Sequence, residues 1–156
     1  MARKIRFWIP LAVSFALANL LSTWALKAQD SFDLPPIRYS DSSSHDPVAV
    51  LERKLASGQV VLDHDETFGV LPSLLKQLKI PIESQVLVFS KTSLQIHKIS
   101  PTNPRAIYFN DSVYVGYVPG SSILELAAND VELGAVFYTL EFDAKPKNVA
   151  LVRDRG

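Results

Sequence analysis

Between residues 85 and 142 the apolar pattern changes from helical spacing to short extended runs, and this limits the architecture more than any other feature. The runs are QVLVFS (85–90), LQIHKI (94–99), RAIYF (105–109), VYVGYV (113–118), SILELAA (122–128) and GAVFYTLEF (134–142). They are rich in β-branched and aromatic residues, the types that fit a pleated surface. Turn formers separate them at residues 91–93, 100–104, 110–111, 119–120 and 129–130. Connections this short predict neighbouring antiparallel strands in a meander.

Upstream, two helices are expected. Asp46-Pro47 offers an N-cap followed by proline at the first helical position. Val48, Leu51 and Leu55 then share one stripe, and Gly58 is placed to end the helix. Leu71, Leu74, Leu75 and Leu78 share a face of a second helix over 72–78, which Ile80-Pro81 closes. Residues 59–63, QVVLD, read as a short strand. The fold class is therefore α+β: mainly an antiparallel β meander, with about two short helices near its N-terminal side.

The first 28 residues have another character. Arg3, Lys4 and Arg6 precede an uncharged stretch, 7–26, and then KAQD. A basic start, an apolar run and a small residue before a polar chain form the layout of a secretory signal, with Ala28 or Ala25 before the cut. Twenty uncharged residues are also long enough for an uncleaved membrane anchor helix. Either alternative places the remainder in the periplasm or otherwise outside the cytoplasm, with membrane contact only through residues 1–28 if they are retained. Residues 29–46 contain Pro35-Pro36, expected to hold the chain extended, and the polar run 40–45, so they read as a flexible linker. A single globular domain is expected over 47–142 and a C-terminal tail over 143–156.

Composition narrows the function classes. The 156 residues are 47% hydrophobic and 21% charged with zero formal net charge, which fits a globular domain and gives no sign of a nucleic-acid partner. Without residues 1–28, which carry four Lys/Arg and no acid, 12 basic and 16 acidic side chains remain, a net of −4. No cysteine is present. Disulfides, thiol nucleophiles, cysteine-ligated zinc and covalent haem attachment are therefore excluded for this chain.

The stretch NPRAIYFNDSVYVGYVPG (103–120) invites the question of a site. With Asn110 and Asp111 as the two loop residues, Tyr108 would face Val113 and Ile107 would face Tyr114. Large side chains on both faces predict a hairpin that is central or covered on both sides. Gly116 marks a bulge or a close backbone approach. Arg105, between a proline and an apolar strand, needs a partner: Glu125, Asp111 or a bound anion. His64 lies among Asp63, Asp65 and Glu66, which suggests a metal site or general base, although adjacent residues on an extended chain diverge and a solvated turn is the simpler expectation. Arg105, Asn110, Asp111 and His64 are thus the candidate polar residues for binding or structure. SKTS (90–93) lacks the Ser-x-x-Lys spacing and reads as a loop. No phosphate loop, nucleophile elbow or metal-ligand spacing is present.

The blocks NPRA, YFND, YVG and GAVFYTL, within residues 68–152, resemble the N-terminal haem-less domain of exported bacterial cytochrome c-like proteins. In that family the domain leads into a Cys-x-x-Cys-His motif. Here KPKNVALVRDRG (145–156) comes without the motif, so the resemblance implies a haem-less partner or a truncated product. It implies a non-catalytic accessory domain in an electron-transfer setting, binding no haem itself, with haem only on a missing domain or a partner such as a c-type cytochrome or another exported protein. The alternative is a free-standing extracytoplasmic ligand-binding or structural module with a pocket around Arg105 and the hairpin. A hydrolase using His64 and a neighbouring carboxylate is a third option.

Overall fold

The computed structural model describes residues 33–40, 42–89, 92–143 and 149–155. The signal or anchor helix expected over 1–28 lies outside them. The chain divides into two units, Met1–Arg38 and Tyr39–Gly156. In the first, residues 33–38 form an exposed turn, with the Arg38 N–H donating to the Leu34 carbonyl at 3.3 Å. The Pro35-Pro36 step therefore lies in a turn and does not extend the chain.

The second unit is α+β, built on a six-stranded antiparallel sheet with two helices on one face. The helices are α1, Pro47–Ala56, and α2, Leu71–Gln77. The strands are β1 Val86–Val88, β2 Arg105–Phe109, β3 Val113–Tyr117, β4 Ile123–Asp130, β5 Gly134–Phe142 and β6 Val149–Arg153. Spatial order equals chain order, a meander.

Alternation sorts the side chains. Tyr108, Val115, Leu126, Tyr138 and Arg153 form one row across β2 to β6 on the inner face. All five are buried beneath Val48, Leu51, Leu71, Leu74 and neighbours from the helices. Burying each such leucine or valine stabilises the fold by about 1.5–3 kcal/mol. The Asp46 carboxylate accepts from the Val48 and Ala49 N–H groups at 2.8 and 3.1 Å, capping α1. It also accepts from the Tyr138 phenol at 2.5 Å, which pins the helix start to β5.

Four local expectations are corrected. Residues 94–99 are not a strand but a 3-10 turn over Ile96–Lys98. The Ser93 hydroxyl accepts from the Gln95 N–H, and N–H groups of Ile96, Lys98 and Ile99 bond three residues back, so local bonds outweigh the alternation. Residues 59–63 find no strand to pair with. The Val60 N–H goes to the Lys54 carbonyl and the Asp63 N–H to Ser73 Oγ. The hairpin loop is Asp111-Ser112, because Asn110 Oδ1 accepts from the Ser112 and Val113 N–H groups. Phe109 thus faces Tyr114 and Ile107 faces Gly116, a shift of two that keeps every side chain on its expected face. Lastly, the tail supplies β6, whose Leu151 is buried opposite Leu140.

Residues 39 and 42–46, part of the expected linker, are tied to this unit. The Arg153 guanidinium donates to the carbonyls of Ser42 and Tyr39 at 2.7 and 2.6 Å and lies 4.8 Å over the Tyr39 ring. The hairpin is central in the sheet, one of the two expected alternatives, with β1 and β4 as its neighbours, while its outer face is left partly open. Phe109 and Tyr114 stack at 5.8 Å between centroids, yet both remain exposed.

Candidate ligand-binding site

Register places Arg105, Ile107, Gly116, Glu125, Ala127, Phe137 and Thr139 on the outer face. Gly116, Ala127 and Thr139 are small, and they lie on three consecutive strands. Larger side chains flank them: Ile107 beside Gly116, and Tyr114 and Phe137 on either side of Ala127. Low residues between high ones make a trough, and it holds a cavity of about 590 Å³. Thr92 and Leu94 line one part of it and Asp154 another.

One end of the trough is polar. Arg105 reaches from β2 across β3 to Glu125 on β4, with Nη2 to Oε2 at 2.6 Å, and the two side chains are only 13% and 12% exposed. Gly116 makes this crossing possible. A Cβ there would lie 2.5 Å from Arg105 Nε and 2.7 Å from Cζ. The glycine expected to mark a bulge or a backbone approach instead leaves room for a guanidinium. The second Glu125 oxygen accepts from Ser93 Oγ at 2.6 Å and from Gln95 Nε2 at 3.3 Å. Gln95 Nε2 also meets the Ile123 carbonyl at 3.2 Å. Residues 93–95 are thereby fastened over the pair. A buried ion pair needs such added hydrogen bonds to offset its lost hydration. Two buried atoms next to it, Arg105 Nε and Gln95 Oε1, have no hydrogen-bond partner.

The other candidate polar residues are placed elsewhere. Asn110 holds its own turn, and its amide donates to the Leu78 carbonyl at 3.1 Å, linking the hairpin tip to the end of α2. Asp111 is exposed in that turn. The His64 ring packs edge-on against Phe142, 6.2 Å between centroids. None of the three lines the trough. Asp65 accepts from the Thr67 and Phe68 N–H groups, both at 2.8 Å, and these bonds hold its carboxyl below the usual carboxylate value. The acidic run around His64 is thus a hydrogen-bonded turn. Among the described residues no group of three His, Cys, Asp or Glu side chains is placed to hold a metal ion. No helix among them is long and apolar enough to cross a membrane.

Sequence reasoning singled out Arg105 and named Glu125 as a partner, but it missed Ser93, Gln95 and the aromatic walls. Strand parity carries part of the missing signal, since Arg105, Glu125 and Phe137 share a face once the register is known. Comparison with protein-family models, curated proteins and solved structures found no match to this chain.

Proposed function

We propose that the chain is an exported, non-catalytic binding module whose outer sheet face receives a small molecule. The cavity of about 590 Å³, walled by aromatics and ended by a buried ion pair, carries this proposal. A concave apolar site with a few fixed polar groups is the usual form of a ligand pocket, and its volume lies in the ordinary range. Export rests on the basic and apolar pattern of residues 1–28. The neutral dye N-phenyl-1-naphthylamine provides the test. Its fluorescence should rise saturably with the full chain, and Ala127→Trp, which fills the trough from its floor, should abolish the rise while leaving Tm unchanged within about 2 °C. An unaltered response in that variant would place binding elsewhere.

A second role, an accessory surface for a c-type cytochrome, is favoured by Phe137 and Val152, which are exposed on the outer face of β5 and β6. It accords with the resemblance to exported cytochrome c-like proteins. On this alternative, haem absorbance should follow the tagged chain through a periplasmic pull-down and vanish with Phe137→Ser. Retention of haem by the variant, or no haem with either protein, would remove the alternative.

A further inference from the structure

We infer that the trough selects an uncharged, flat, ring-containing molecule and rejects organic anions of the same shape. The inference rests on the binding role proposed above and specifies its ligand. Shape comes from the register. Tyr114, Ala127 and Phe137 are successive cross-strand neighbours on β3, β4 and β5. Adjacent strands lie about 4.8 Å apart, so the two rings rise roughly 10 Å from one another across a methyl group. That spacing makes a slot for a planar ring set between two aromatic walls, where stacking contributes beyond simple burial. Both walls are presented to solvent, Tyr114 at 47% and Phe137 at 53% exposure.

Charge selection comes from the polar end. An arginine in a cavity ordinarily reads as an anion receptor, but here Glu125, 2.6 Å away, already balances its charge. Ser93 and Gln95 hold Glu125 in place, so the carboxylate cannot swing away to release the guanidinium without losing those bonds. An entering anion meets a guanidinium whose charge Glu125 already balances, and it must shed its hydration to enter. A neutral ring system incurs no such cost.

Two probes with one ring skeleton separate charge from shape: N-phenyl-1-naphthylamine, which is neutral, and 1-anilinonaphthalene-8-sulfonate, which adds an anionic group. For the full chain, fluorescence titration should give at least about tenfold tighter binding of the neutral probe. Glu125→Gln, which frees Arg105, should tighten the sulfonate relative to the neutral probe at least about tenfold. Because an unbalanced buried arginine can compromise folding, the charge-free pair Arg105→Met/Glu125→Leu serves beside it. In that variant the sulfonate should lack the tightening that Glu125→Gln gives, because no guanidinium remains to receive it. Equal or tighter binding of the sulfonate to the parent protein overturns charge selection while leaving a binding module standing. Failure of both probes to bind overturns the site itself and the inference with it.

Discussion

At the scale of single residues, Gly116 decides whether the ion pair can form. Its conformation is ordinary for a strand, so backbone freedom is not what requires glycine here. The requirement is space, because the guanidinium of Arg105 occupies the place of the absent side chain. Gly116→Ala should cost about 1–3 kcal/mol by overpacking and weaken the Arg105–Glu125 contact. Removing the guanidinium should release the constraint. In an Arg105→Ala background the same substitution should cost no more than about 0.5 kcal/mol. Chemical denaturation of the four proteins in this cycle measures the difference, and an equal cost in both backgrounds would show that the glycine has another role. Arg105 was legible in the sequence because a charge inside an apolar strand demands a partner, and Glu125 was among the partners available. Ser93 and Gln95 were not legible. Their bonds to Glu125 join residues about thirty positions apart, and no periodicity encodes a side-chain hydrogen bond of that kind.

At the scale of elements, β6 binds the N-terminal stretch of the unit to the sheet. Alternation puts Leu151 and Arg153 on the inner face, and both are buried. Arg153 then satisfies two carbonyls from residues 39 and 42 and covers the Tyr39 ring. Arg153→Met keeps the apolar stem but leaves those carbonyls without their charged donor. It should lower stability by about 1.5–3 kcal/mol and expose residues 39–45 to limited proteolysis before the core unfolds. A cleavage pattern identical to that of the parent would show that the stretch is held by other contacts. Elements with strong periodicity were legible: β2 and β5 have the expected bounds, and α1 begins at the Asp46-Pro47 signal. Residues 149–153 were not, because a strand of five residues with one buried leucine and one buried arginine carries too little alternation to stand out. Residues 94–99 misled for the opposite reason. Their alternation is real, but side-chain and three-residue backbone bonds fold them over Glu125 instead of along a neighbouring strand.

For the whole molecule, the hydrogen-bonded carboxyls and buried phenols set a pH range of stability. Burial pushes the Asp130 carboxyl up, but N–H donors from His45, Glu132 and Leu133 outweigh it and hold the group below its ordinary value of 3.8. Asp65 is held down by the Phe68 and Thr67 N–H groups. A carboxyl with a lowered folded value contributes stability that is complete above the unfolded value. That contribution is lost as pH falls below it, where the unfolded chain takes up protons that the folded chain does not. At the alkaline side, burial raises the Tyr138 phenol far above its ordinary value of 10.0, and its bond to Asp46 adds to the shift. Tyr117 is raised as well, again by burial first. A raised phenol favours the neutral form in the fold, so stability is complete below pH 10.0 and declines above it, as the unfolded chain loses protons that the folded chain keeps. Thermal denaturation across pH should therefore give a plateau bounded by these two values. Asp130→Asn should flatten the acid limb and leave the alkaline one. Tyr138→Phe should lower the plateau by about 0.5–1.5 kcal/mol through the lost hydrogen bond and flatten the alkaline limb. The two limbs belong to different titrating groups, although these meet at adjacent residues: Asp130 closes the β4–β5 turn and also accepts from the His45 N–H, and Tyr138 holds Asp46 at the start of α1. If either substitution moves both limbs together, the contacts at His45 and Asp46 couple the two groups and the pH limits belong to one shared network.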